Sequence, residues 1–303
     1  MVLKGVYTAM ITPFNQDGSV SYNGLRANVE HQLEAGINGL LFLGTTAETP
    51  TLTAEEQAKI LKTGIQSVCG LVPVMVGTGT NSTATTIENT KRAADAGANI
   101  ALVVAPYYNK PQQEGIYQHF AEVADKGGLP IVVYNIPGRS GVNIEPATLE
   151  RIAEHPRVVG VKEASGNVAQ MADILSRVNG NEKIGEGFTL FSGDDSLTLS
   201  VMALGGRGVI SVISNLYPGA MVHLVDECLE GDFAKARDCH NYLFPLMQAA
   251  FCETNPAPIK YLMNLAGMAA GPCKLPIAEV SKANQKRLTQ VFAKYNLRSP
   301  GCK

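Results

Sequence analysis

At 303 residues, with 45 % hydrophobic and 17 % charged side chains and a net charge of −2, the chain has material for a large core and no basic footprint for nucleic acid. Its six cysteines, at 69, 228, 239, 252, 273 and 302, show no CxxC or Cys/His metal spacing, which predicts reduced thiols in a cytosolic setting. No apolar stretch approaches membrane-spanning length, and the opening Met1-Val2-Leu3-Lys4-Gly5 lacks a signal-peptide core. The expected location is cytoplasmic, with no membrane partner.

Apolar runs recur at even spacing, at Gly5–Pro13, Gly39–Leu43, Val72–Val76, Ile100–Ala105, Pro130–Tyr134, Val158–Lys162, Thr189–Gly193 and Gly208–Val212. Short valine-rich runs of this kind are strands buried on both faces. Helical patterns lie between most of them. Leu25, Val29 and Leu33 share a face after the first run. Thr53 and Glu56 form a capping-box pattern ahead of Ile60, Leu61, Ile65 and Val68. Met171, Ile174, Leu175 and Val178 make another stripe, and a short helix around Leu197–Leu204 links the last two runs.

Eight strand–helix repeats without a linker predict an α/β fold, a (β/α)8 TIM barrel, over residues 1–224. A doubly wound sheet is the alternative, but the glycine fingerprint of a dinucleotide site is missing. Beyond it, Ala220–Leu229, Phe233–Phe251, Ile259–Leu265 and Ser281–Tyr295 read as helices. They make residues 225–303 a C-terminal helical region, with a frayed tail over Arg298–Lys303.

Catalytic groups of such barrels project from the C-terminal ends of strands. Those ends here carry Gly44-Thr45-Thr46-Ala47-Glu48, Pro106-Tyr107-Tyr108-Asn109, Tyr134-Asn135-Ile136-Pro137-Gly138-Arg139, Lys162-Glu163 and Ser192-Gly193-Asp194-Asp195. Alternation puts Val158, Gly160 and Lys162 on one face. A lysine fits poorly under the outer helices, so that face lines the interior, with Gly160 leaving room beside the lysine stem. Tyr134, on the neighbouring strand, then comes within reach of Lys162. A buried lysine has its pKa pushed down, which is what nucleophilic attack on a ketone requires. Tyr134 suits proton relay, Arg139 suits bidentate grip of a carboxylate, and the Thr45–Thr46 turn offers N–H and hydroxyl donors. Singly, each has a plainer reading: a strand-end lysine, a core tyrosine, a surface arginine, a helix cap. Their joint placement on strand ends favours catalysis.

With these segments, and with Val76-Gly77-Thr78-Gly79 and Val161-Lys162-Glu163-Ala164-Ser165-Gly166, the chain resembles the dihydrodipicolinate synthase / N-acetylneuraminate lyase family of pyruvate-dependent class I aldolases, from Gly5 to about Leu297. The resemblance implies that Lys162 forms an imine with pyruvate. It implies that Tyr134, Thr45 and Tyr108 relay protons, with Tyr108 given by a neighbouring subunit of a tight dimer. Thr46 would hold the pyruvate carboxylate, and the carbonyl of Ile210 would lie beside the lysine. Arg139, where sialic acid lyases carry an apolar residue, implies a synthase branch that binds L-aspartate semialdehyde. No metal or organic cofactor is implied, and a homotetramer of two tight dimers is.

The chain departs from the family pattern at Ala47, where glycine is usual. Asn81 and Tyr107 match a lysine-binding feedback site of some members. Ala54 and Gln57 replace its histidines and Thr85 its glutamate, which implies weak or absent inhibition by lysine. Other readings are a sialic acid or 2-keto-3-deoxy sugar acid aldolase, a phosphate-binding barrel using Gly193 and Gly205-Gly206-Arg207-Gly208, and a silent regulatory member.

Overall fold

The computed structural model describes residues 3–185 and 187–295. Eight strands follow one another around a closed barrel: β1 (Gly5–Ala9), β2 (Gly39–Phe42), β3 (Val74–Gly77), β4 (Ile100–Val104), β5 (Ile131–Asn135), β6 (Val158–Glu163), β7 (Thr189–Ser192) and β8 (Gly208–Ser211). Between the strands run α1 (Tyr22–Glu34), α2 (Ala54–Val68), α3 (Thr83–Asp95), α4 (Gln113–Lys126), α5 (Pro137–Ser140), α6 (Pro146–Ala153), α7 (Val168–Gly180) and α8 (Thr198–Ala203). Then come α9 (Pro218–Glu230), α10 (Phe233–Ala249), α11 (Ala257–Leu265) and α12 (Lys282–Phe292). This is the expected (β/α)8 barrel with C-terminal helices. Parallel pairing joins β1 to β2, and β3 through β8 in succession.

By their contacts the described residues form two units, residues 3–5 with 73–210 and residues 6–72 with 211–295. In the first, Ala101, Val103, Ile131, Val132, Val133 and Val161 are fully buried, as strands covered on both faces require. There α4 packs on α3 and α6, and α6 on α7. In the second, Leu25, Val29, Met221, Leu224, Ile259 and Leu262 are buried. Here α1 packs on α2, α9 on α10, and α12 on α10 and α11. Helix starts are set by side-chain caps from Ser21, Ser82, Asn167, Asp232 and Ser281. Thr53 and Glu56 close the anticipated reciprocal capping box.

Several expectations shift. β1 stops at Ala9 rather than Pro13, because the Ile11 N–H leaves the ladder and donates to Asn215 Oδ1 at 3.0 Å. β5 and β6 each run one residue further, to the paired Asn135 and Glu163. The β5–β6 register shifts between Ile131 and Val132, where Val158 and Gly160 are the successive partners. Alternation is therefore regular from Gly160 to Lys162 but does not extend back to Val158. Residue 224 lies inside α9, so a division there would cut a helix. Cys239 is disulfide-bonded, against the expectation of reduced thiols, whereas Cys69, Cys228, Cys252 and Cys273 are free. The tail Arg298–Lys303 lies outside the described residues.

Gly160 does not make room for Lys162. A Cβ there would stand 2.4 Å from the Thr189 carbonyl oxygen, so its role is the close approach of β6 and β7. Gly160→Ala is expected to destabilise the protein by about 1–3 kcal/mol in urea denaturation, the usual range for overpacking.

Candidate active site

Residues 162 and 163 point to opposite faces of β6. Glu163 meets α7, its Oε2 accepting from Gln170 Nε2 at 3.4 Å, so Lys162 is turned to the inside of the barrel. The Lys162 residue is 6 % exposed. Pairing places Tyr134 beside it on β5 and the fully buried Phe191 beside it on β7. Its Nζ stands 4.3 Å from the centroid of the Tyr134 ring, within cation–π range. Gly193, just past β7, permits close approach to the end of β6, since a Cβ there would lie 2.6 Å from Ala164 Cβ and 3.0 Å from the Glu163 carbonyl oxygen, with Lys162 Cε next at 3.2 Å.

Burial pushes the Lys162 amine down from 10.5 to about 8; the Asp195 carboxylate opposes the shift, and the Arg139 guanidinium adds to it. At pH 7 about one amine in ten is then neutral, against about one in three thousand at the ordinary value. A neutral amine is the form that can add to a carbonyl. Asp195 is 1 % exposed and sits at the start of a 3-10 turn that follows β7.

Arg139 lies on the four-residue α5, four positions after Asn135, the last residue of β5. Pro137 starts that turn and Gly141, at φ 75°, ends it. The arginine is exposed. Tyr108 stands apart from the buried pair. It is 88 % exposed and holds φ at 73°, an uncommon conformation for a bulky residue that costs roughly 1–3 kcal/mol. Ile210 is buried within β8.

In the second unit, Gly44 leads β2 into the 3-10 turn Thr45–Ala47, whose first N–H groups are not consumed within the turn. The Thr46 hydroxyl accepts from Asn255 Nδ2 at 2.9 Å. Ala47 is 2 % exposed, and its carbonyl accepts from Thr12 Oγ1 at 2.8 Å. The left-handed residue that ends the turn is Glu48, at φ 57°, so alanine at 47 meets no positive-φ penalty. Glu48 is fully enclosed. Its Oε1 pairs with Lys260 Nζ at 2.8 Å and its Oε2 accepts from the Lys274 N–H at 2.7 Å. The sequence pointed to no role for Lys260 or Asn255, placed Asp195 only among the strand-end residues, and gave Gly193 only a phosphate-binding alternative. Lys260 sits alone in an apolar helix, and that lone cation was the available signal. Among the described residues no group of three or more His, Cys, Asp or Glu could hold a metal ion, and no helix is long and apolar enough to cross a membrane.

The fold is thus a (β/α)8 barrel with a buried lysine at the C-terminal end of β6. Residues 2–294 match the model of the dihydrodipicolinate synthetase family, and the chain belongs to that family. It is 45 % identical to a 4-hydroxy-tetrahydrodipicolinate synthase of Protochlamydia amoebophila, covering 96 % of each chain. The crystal structure of a dihydrodipicolinate synthase from Thermotoga maritima superposes with a TM-score of 0.94 at 42 % identity, covering 97 % of this chain and 99 % of that one. One from Acinetobacter baumannii, solved in complex with pyruvate, superposes with a TM-score of 0.92 at 36 % identity, covering 96 % and 98 %.

Because folding lowers the Lys162 pKa to about 8, the unfolded chain binds the extra proton between about pH 8 and pH 10.5, and stability rises with pH across that window. Below it the buried ammonium costs about 3 kcal/mol. Lys162→Met is therefore expected to raise Tm at pH 7 by about 5 °C, with the gain shrinking as melts are repeated toward pH 10.5.

Proposed function

We propose that the protein condenses pyruvate with L-aspartate 4-semialdehyde to 4-hydroxy-tetrahydrodipicolinate, a step of lysine and diaminopimelate biosynthesis. Lys162 is the imine-forming residue. Family membership and the names of the relatives support the reaction. The observation that carries the chemistry is the buried Lys162 amine, lowered to about 8 and seated 4.3 Å from the Tyr134 ring. The pyruvate complex of the Acinetobacter relative supports pyruvate as the first substrate.

In this reading the neutral Lys162 amine adds to the pyruvate ketone, and the carbinolamine loses water to give the imine. Loss of a methyl proton gives the enamine, whose carbon attacks the aldehyde of the semialdehyde while the aldehyde oxygen takes up a proton. The amino group of the semialdehyde then attacks the imine carbon, closes the ring and releases Lys162. Tyr134, Thr45 and Tyr108 move the protons. Thr46 and the neighbouring N–H groups bind the pyruvate carboxylate, with the Ile210 carbonyl beside the amine, and Arg139 binds the carboxylate of the semialdehyde. No metal or organic cofactor takes part. The strained, exposed Tyr108 fits a residue used by a second copy of the chain, which supports a tight dimer and, as two such dimers, a homotetramer. The setting is cytoplasmic.

Borohydride reduction in the presence of pyruvate, followed by peptide mapping, is expected to leave a pyruvyl adduct on Lys162. Its yield per unit time should rise with pH up to about 8, as the amine loses its proton, and then level off. No adduct in the active protein would exclude the mechanism. Consumption of pyruvate by the untreated protein with N-acetylmannosamine but not with L-aspartate semialdehyde as acceptor would move the protein to the lyase branch.

Ala54 opens α2, Gln57 spends its amide on the Leu52 carbonyl at 3.2 Å, and Thr85 lies in the first turn of α3. No carboxylate stands at 85 to meet the α-amino group of an effector. Free lysine is expected to inhibit weakly or not at all; strong inhibition at sub-millimolar lysine in a coupled assay would overturn this.

A further inference from the structure

Behind the Lys162–Tyr134 pair lies a buried polar network that the catalytic reading does not use. Asn135 and Glu163 are paired one step beyond Tyr134 and Lys162 on the same two strands. Glu163 is fully buried and Asn135 nearly so. Glu163 Oε1 accepts from the Ser165 backbone N–H at 2.7 Å. Its Oε2 accepts from Asn135 Nδ2 at 2.8 Å and from Gln170 Nε2 at 3.4 Å. Asn135 Oδ1 accepts from the Ile144 backbone N–H at 3.0 Å, and its Nδ2 also donates to Asn143 Oδ1 at 2.8 Å. Asn143 and Gln170 complete a reciprocal amide pair, at 2.8 and 3.1 Å.

The polarity of this network is set at both ends by backbone donors, which cannot turn around. The Ile144 N–H obliges Asn135 to present its oxygen to the backbone and its NH2 to Glu163. The Ser165 N–H obliges residue 163 to present an oxygen there as well. Residue 163 must therefore accept on both sides, and only a carboxylate does so. A glutamine would set its NH2 against Asn135 Nδ2 or the Ser165 N–H, and flipping Asn135 would set that NH2 against the Ile144 N–H, leaving buried donors unpaired.

The network also ties together the parts of the proposed site. The Asn135–Glu163 bond clamps the ends of β5 and β6 next to the Tyr134–Lys162 rung. The Asn135–Ile144 bond closes the loop that carries Arg139. From this geometry we infer that Glu163, Asn135, Asn143 and Gln170 are positioning residues. Their hydrogen-bond polarity holds Lys162 and Tyr134 at their working separation and fixes the Arg139 loop above them. The inference rests on the reading of Lys162, Tyr134 and Arg139 given above.

The same logic supplies its test. In the double variant Glu163→Gln/Asn135→Asp every bond can be remade with reversed polarity. Position 135 then accepts from the Ile144 N–H and from the amide at 163. Position 163 keeps its oxygen on the Ser165 N–H, and the Asn143–Gln170 pair flips as a unit. Steady-state turnover of pyruvate and L-aspartate semialdehyde, with Tm in parallel, is measured on the wild type, the two single variants and the double. Glu163→Gln is expected to lose about tenfold or more in kcat at temperatures where it is fully folded, since small misplacement of reacting groups is costly. The double variant is expected to return to within about threefold of wild type. A purely structural network would lower Tm and leave kcat of the folded protein unchanged.

Wild-type kcat in Glu163→Gln, or a double variant no faster than the slower single, overturns the inference. Should Glu163→Gln fail to fold, Gln170→Leu, at the partly exposed edge of the network, decides: a fall of about threefold in kcat supports positioning, and unchanged kcat overturns it. Borohydride trapping on the wild type separates the two readings. Absence of a Lys162 adduct there removes the imine mechanism, while the turnover ratios among the four proteins still decide the network.

Discussion

The site depends on one pair of neighbouring rungs at the ends of β5 and β6. Tyr134 faces Lys162 and, one step on, Asn135 faces Glu163. Because successive side chains alternate, two adjacent residues on each strand serve opposite surroundings. The first rung buries an amine beside the Tyr134 and Phe191 rings, where its charged form is disfavoured. The second places a side chain that accepts from the Ser165 N–H, Asn135 Nδ2 and Gln170 Nε2. Two ionisable groups adjacent in sequence thus occupy environments of opposite character, and a slip of one residue would exchange them. The bulge at the base of β6 lies ahead of both rungs, so it leaves their register intact.

A different device organises the turn after β2. Glu48, left-handed and enclosed, is tied to Lys260 and to the backbone at Lys274. Lys260 also donates to the Pro272 carbonyl at 2.7 Å and lies 4.2 Å from the centre of the Phe14 ring. A buried ion pair of this kind adds little net stability, because desolvation offsets the attraction, but losing one partner is severe. Its consequence is location: the Thr45–Thr46 turn is anchored to α11 and the segment after it. The helices beyond β8 thereby support a turn more than 200 positions earlier in the chain, as the Lys260–Glu48 spacing of 212 residues shows.

The strands were legible because each is a short apolar run, most of them rich in β-branched residues, and a doubly covered parallel strand leaves no other trace. Their limits were not. The end of β1 is decided by Asn215, whose amide captures the Ile11 N–H from far along the chain. The closeness of Lys162 to Tyr134 followed from alternation on adjacent strands and needed no contact map. The glycine beside the lysine was misread. Gly160 is on the right face, yet the space it leaves is filled by the backbone of β7. Which atom crowds a missing Cβ is a property of the neighbouring strand, to which local sequence is blind.

By itself the sequence determined the number of strands, the capping box that starts α2, the barrel class, and which polar residues lie on the strand ends. These follow from local periodicity and side-chain type, which act over a few residues. Tertiary structure alone decided how far the lysine is buried, which charges act on it, and that Glu163, Asn135, Asn143 and Gln170 form one network. Burial and hydrogen-bond partnership join residues distant along the chain, so they exist only once the strands are paired and the helices packed against them.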